Sequence, residues 1–154
     1  MYSFNLYNKS YFDKILIIFL KFQKNAKIRS MFGEYVQKSP LMTSIYLKNK
    51  LNELIFESTS IYVGLRNNEP YGIVFFKNDI LTLVFKDPNF TFDSGIKQNL
   101  LDIIQDYKDK HNTKVFAYLG QRKKFEKYIQ FMKKKFDISV KGVDNFGKVI
   151  IEFL

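Results

Sequence analysis

The chain has no cysteine and no tryptophan, and its single histidine is His111. Without cysteine there is no disulfide frame, no thiolate zinc site and no cysteine nucleophile. One histidine gives no basis for a metal site built on two imidazoles, and it argues against a histidine-based catalytic dyad. Seven glycines and three prolines in 154 residues argue against a fibrous or disordered chain. Long apolar runs are also missing. The longest, Ile15 to Leu20, falls far short of the ~20 residues that cross a bilayer. The first residues carry Tyr2, Asn5 and Asn8 in place of a basic leader region, so no secretory signal is expected and a cytoplasmic protein is.

What is present suits one globular domain over residues 1–154. At this length roughly 70% of the unfolded surface is buried on folding, and a hydrophobic fraction of 46% with 18% aromatics can fill the core. The net charge of +10 comes from 25 basic against 15 acidic residues. Nearly all the basic residues are lysine; arginine stands only at 29, 66 and 122. Lysine, asparagine, isoleucine, phenylalanine and tyrosine together suggest an AT-rich coding genome, such as that of a phage or virus. The charge favours polyanions as partners, whether nucleic acid, cofactor phosphates or an acidic protein surface. A solvated lysine surface explains it equally simply.

Periodicity orders the elements. Residues 2–7 alternate as a strand. Phe12, Ile15, Leu16, Phe19 and Phe22 recur at helical spacing in a segment from Tyr11 to about Val36 that Gly33 can interrupt. Ser39-Pro40 reads as a helix start, and Leu47, Leu51, Leu54 and Ile55 then share a face over 40–57. Three short strands follow at 61–65, 71–76 and 80–85, joined by turns at Arg66–Pro70 and Lys77–Asp79. A helix opens at Gly95 behind Asp93 or Ser94 as cap, and runs to His111. A strand over 114–119, a helix from Gln121 to Phe136 and strands at 138–141 and 148–154 complete the chain. The order is β-αα-βββ-α-β-α-ββ. The passage from strand 80–85 through a helix to strand 114–119 predicts a parallel pair with a right-handed crossover. The expected fold is therefore α/β, a central mixed sheet with helices on both faces.

That order resembles the GCN5-related N-acetyltransferase (GNAT) superfamily across nearly the whole chain. IYVGLRNNEPYGIVFF is similar to the family's second and third strands, and LTLVFKDPNFTFDSGIKQNLLDII to its fourth strand, acyl-CoA loop and third helix. FEKYIQFMKKKFDI is similar to its fourth helix. The resemblance implies acetyl-CoA or another acyl-CoA as cofactor, an unidentified amine as acceptor, and N-acyl transfer as the activity. It places polarising backbone N–H groups near Val84 and Phe85, and a diphosphate loop at Ser94, Gly95, Ile96 and Lys97. Arg122 is placed at the phosphoadenosine. A helix N-terminus suits such a ligand, because successive N–H groups and the helix dipole favour anions. Gly95 matches the family's first loop glycine. Phe92 stands where the family has Arg or Gln, Lys97 where it has its second glycine, and Asp93 adds a negative charge. Phe131 aligns with the tyrosine that protonates the leaving thiolate, which leaves Tyr128, one turn earlier, as the candidate proton donor.

Core position explains Tyr128 equally, and Asp79 and Asp87 read as turn residues rather than general bases. Arg122, Lys123 and Lys124 also read as a solvated turn. Lys133 to Lys135 and His111 suit helix C-termini. A catalytically inactive GNAT-like structural or interaction protein, whose signature would be an oligomer or co-purifying partner, therefore stays open. So does a basic nucleic-acid-binding module using Phe125, Lys127, Tyr128 and the lysines of 133–135.

Overall fold

The computed structural model describes residues 1–24, 44–120 and 125–154. Gly33, Ser39, Pro40, Arg122, Lys123 and Lys124 lie outside the described residues, as does part of each helix expected around them.

Seven strands form one sheet: β1 (Tyr2–Leu6), β2 (Ser60–Arg66), β3 (Glu69–Lys77), β4 (Ile80–Lys86), β5 (Val115–Leu119), β6 (Ile138–Val143) and β7 (Val149–Phe153). Their order across the sheet is β1-β2-β3-β4-β5-β7-β6. The β4–β5 pair is parallel and the other neighbours are antiparallel. The mixed sheet expected from the order of elements is therefore what the chain forms.

Alternation sorts the side chains onto two faces. On one, α1 (Phe12–Lys24) and α2 (Ser44–Glu57) bury Ile15, Ile18, Phe19, Phe22, Leu47 and Leu51 against Val63, Ile73, Phe75 and Phe85. The helical spacing read from the sequence produces this stripe. Phe85 is its hub, with ring centroids 5.2 Å from Phe19, 5.5 Å from Phe22 and 5.9 Å from Phe75. On the other face, α3 (Ser94–His111) and α4 (Phe125–Met132) cover Tyr62, Val74, Phe76, Leu81, Val115, Ala117, Ile151 and Phe153. No described helix is long and apolar enough to cross a membrane.

Two connections are tighter than the sequence suggested. Asn67 and Asn68 alone join β2 to β3, and Asn78 and Asp79 alone join β3 to β4. All four have positive φ, the backbone that matches a two-residue hairpin to strand twist, and Asn and Asp tolerate it. Helix α4 ends earlier than expected. It ends at Met132, and Lys133 to Lys135 form a turn whose N–H groups return to the carbonyls of Ile129, Phe131 and Met132. Phe136 still reaches the core, at 3% exposure.

Candidate functional site

The sheet opens between β4 and β5. The two strands share only the rungs Ile80–Phe116 and Leu81–Ala117. A β-bulge sits just beyond. Phe75 pairs with Leu83 and Phe76 with Leu81, so Thr82 is the extra residue, and its hydroxyl donates to the Phe75 carbonyl at 3.2 Å. An extra residue bends its strand and increases local twist. That turns β4 away from β5 at the point where their pairing stops. Leu83 to Lys86 on one side, with Tyr118 and Leu119 on the other, border the parting.

The ladder between β3 and β4 decides which backbone groups look into it. Asp87 N–H donates to the Tyr71 carbonyl at 2.7 Å, and Ile73 pairs with Phe85. Alternation along an antiparallel ladder then directs Phe85 N–H toward β3 and Val84 and Lys86 toward the opening. The expectation for Phe85 is corrected accordingly: its N–H belongs to the sheet and its side chain, 2% exposed, to the core. The Val84 side chain is partly buried against the core cluster on the α3 side.

The start of α3 lies past the end of β4. Asp93 is its cap: one carboxylate oxygen accepts the Ile96 N–H at 2.9 Å, and its carbonyl accepts the Lys97 N–H at 3.0 Å. The Tyr2 hydroxyl donates to the same carboxylate at 3.1 Å. Hydrogen bonding from Ile96 N–H, aided by the Tyr2 hydroxyl, Gly95 N–H and Arg66, holds the Asp93 carboxyl below its ordinary range, against opposing desolvation. Gly95 has a steric reason to be glycine. A β-carbon there would stand 2.3 Å from Cε2 of Tyr2. The Tyr2 ring also meets Tyr71 edge-on, at 5.7 Å between centroids, and Arg66 lies 5.8 Å from its centroid. Asn99, buried below, donates to the Ser3 carbonyl at 2.9 Å and to the Tyr71 hydroxyl. The first strand is thus bound to the beginning of α3.

Phe92 turns the other way, onto α4. Its ring meets Phe131 edge-on at 5.8 Å, and the Lys97 ammonium lies 5.6 Å and 5.9 Å from the two ring centroids. Lys97 is therefore engaged with aromatic faces, while Ser94 is exposed. Tyr128 is half-buried and packs against the same core cluster as Phe131. Lys86 donates to the carbonyls of Asp87 and Phe90 and so pins the β4–α3 loop. Burial lowers its pKa, with Asp87 opposing. Arg122 lies outside the described residues.

The carboxylates beside β4 are structural. Asp79 accepts from the Tyr107 hydroxyl at 2.6 Å and from the Thr113 hydroxyl at 3.0 Å. Asp87 caps its own turn through Asn89 N–H and pairs with Lys21 at 3.3 Å. His111 donates from Nδ1–H to the Tyr107 carbonyl at 3.0 Å and stacks on the Tyr107 ring. Among the described residues no group of three acidic, histidine or cysteine side chains can hold a metal.

The parting has the backbone of β4 along one side. The start of α3 does not offer free amides to a diphosphate, because Asp93 already accepts the Ile96 amide and the Tyr2 ring stands against Gly95. Four positions missed in the sequence shape this site: Tyr2, Thr82, Lys86 and Tyr118. Thr82 left no signal in the sequence, since it only interrupts an otherwise regular apolar strand. Tyr118 is legible as the residue facing away from Val115, Ala117 and Leu119.

No family profile matches the sequence, and neither does any curated protein sequence. Solved structures do match. The ribosomal-protein-S5-alanine acetyltransferase of Vibrio fischeri is 13% identical with a TM-score of 0.66, covering 99% of this chain and 91% of its own. The PaiA N-acetyltransferase of Thermoplasma acidophilum, solved with coenzyme A, is 13% identical with a TM-score of 0.61, covering 99% and 98%. A GNAT-family acetyltransferase of Streptococcus pneumoniae is 10% identical with a TM-score of 0.55, covering 99% and 96%. End to end, then, this chain has the fold of the GCN5-related N-acetyltransferases.

Proposed function

We propose that the chain is a GNAT-type N-acyltransferase that takes an acyl group from a coenzyme A thioester to an amine. The observation that carries this reading is the parting of β4 and β5 after Leu81 and Ala117. An extended pantetheine arm laid in that gap has the β4 backbone beside it over Leu83 to Lys86, with the Lys86 N–H directed toward it. A preorganised N–H group at such an edge stabilises the oxyanion that develops on the thioester carbonyl. The neutral amine attacks the carbonyl carbon, the C–N bond forms, and the C–S bond breaks. The proton of the amine leaves to solvent, and the departing thiolate takes a proton from Tyr128, the hydroxyl on α4 one turn from Phe131.

Binding tests this directly. A ligand selective for the folded state stabilises by about 2.7 kcal/mol at a hundred times its Kd. Acetyl-CoA at millimolar concentration is therefore expected to raise the melting temperature, and the absence of any shift overturns the reading. Phe131 supports a second reading, a catalytically silent GNAT fold serving as an interaction protein. It is 5% exposed and packed on Phe92, and it lacks the hydroxyl a proton donor needs. Stabilisation by acetyl-CoA without acyl transfer to any of a panel of amines would favour that reading.

A further inference from the structure

We infer that this site accepts acyl donors by the thioester and pantetheine arm alone, because Asp93 and Tyr2 stand in the place where a diphosphate would bind. The inference rests on the acyl-transfer reading and narrows it to donors recognised without their nucleotide.

Three observations carry it. The anion that the first turn of α3 calls for is supplied from within the chain: the Asp93 carboxylate accepts Ile96 N–H at 2.9 Å and the Tyr2 hydroxyl at 3.1 Å. A diphosphate brought to the same amides would meet that carboxylate as a like charge at hydrogen-bonding range. Tyr2 also closes the side of Gly95 from which a β-carbon would project, at 2.3 Å, so its ring crowds the backbone at this turn. Among the described residues, the cations beside the loop are committed elsewhere: Lys86 to the carbonyls of Asp87 and Phe90, Lys97 to the faces of Phe92 and Phe131, and Arg66 to the rings of Tyr2 and Phe90. Tyr2 is itself fixed by Tyr71 and by the pairing of β1 with β2, so vacating the site means unseating a strand. None of these contacts involves the residues of the last β4–β5 rungs, Ile80–Phe116 and Leu81–Ala117.

The test uses the full chain with three probes: inorganic pyrophosphate, acetyl-CoA and acetyl-pantetheine. Pyrophosphate at millimolar concentration is expected to leave the backbone amide resonances of Gly95, Ile96 and Lys97 unmoved; a saturable shift of these amides overturns the inference. Acetyl-pantetheine is expected to serve within about threefold of acetyl-CoA in kcat/KM. A preference for acetyl-CoA of about a hundredfold or more overturns the inference while upholding acyl transfer. Reaction with neither thioester overturns acyl transfer itself, and the pyrophosphate titration still decides the diphosphate question by itself. Asp93→Asn keeps a capping oxygen and removes the charge, so it is expected to fold and to shift the ratio several-fold toward acetyl-CoA; an unchanged ratio overturns the assignment to Asp93. Tyr2→Phe, which keeps the ring over Gly95, is expected to leave the ratio as it is.

Discussion

Leu81 and Ala117 form the last rung that β4 and β5 share, and Thr82, the next residue of β4, is the bulge. Leu81 faces the α3 side and Leu83 the α1 side, so the strand alternates correctly only if Thr82 is skipped. Deleting Thr82 should therefore keep every neighbouring side chain on its present face while straightening the strand. The deletion variant is expected to fold, to extend the β4–β5 pairing, and to lose stabilisation by acetyl-CoA. Circular dichroism with a thermal shift assay checks this; retained acetyl-CoA stabilisation would contradict the place given to the bulge.

Gly95 and Tyr2 should be energetically coupled. An alanine within a helix is favoured over glycine by about 1 kcal/mol, but here its β-carbon meets the Tyr2 ring at 2.3 Å. Gly95→Ala is expected to destabilise the native chain and to stabilise a Tyr2→Ala background. Denaturant unfolding of the four members of the cycle reads the change of sign.

Buried phenols give the fold an alkaline limit. Burial, reinforced by Asp79, pushes the Tyr107 hydroxyl up to about 12, and burial does the same for Tyr71; Tyr62 moves in the same direction by burial and its bond to Asp106. Free tyrosine titrates near about 10, so above that pH the unfolded chain releases protons that the folded chain keeps. This stabilisation is complete below about pH 10 and is lost as the pH rises toward about 12. Tyrosinate absorbance and helix signal should change together in that window. Tyrosinate appearing well before unfolding would show the phenols to be accessible.

Tyr128 separates chemistry from packing. Tyr128→Phe keeps the ring against the core and removes the proton. If the hydroxyl serves the leaving thiolate, kcat falls by about a hundredfold with KM and melting temperature little changed. Unchanged kcat would make Tyr128 a core residue only.

The hairpin turns can be improved. Asn68 has a φ of 67°, which glycine adopts without steric cost. Asn68→Gly is expected to raise stability by up to about 1 kcal/mol, measured as a shift in denaturant midpoint.

Much of this fold could be read in the chain because its sources are local. The period of Ile15, Phe19 and Phe22, the alternation of Val63 to Phe76, and Asp93 before Ile96 all act within a few residues. The site was less legible for the opposite reason. Tyr2 matters through Gly95 and Asp93, 91 positions away from the latter, and no pattern in either segment announces the contact. Phe92 looked like a missing arginine, yet its partner Phe131 lies on another element. Which of Val84 and Phe85 faces the opening depends on a hydrogen-bond register, which the identity of the residues does not encode.

The two-residue turns have a consequence in time. Hairpins of this kind close in about 1–10 μs, so β2, β3 and β4 can assemble from neighbours in the sequence. By contrast, Phe4 pairs with Gly64, and that long loop is closed only once there is a sheet edge to receive it. The meander is thus expected to form early in the folding transition and the first strand late, with φ-values high at Val74 and low at Phe4. On this order the amides of α3 form before Tyr2 arrives to cover them, and the contact of Tyr2 with Gly95 and Asp93 is expected to be made late in folding.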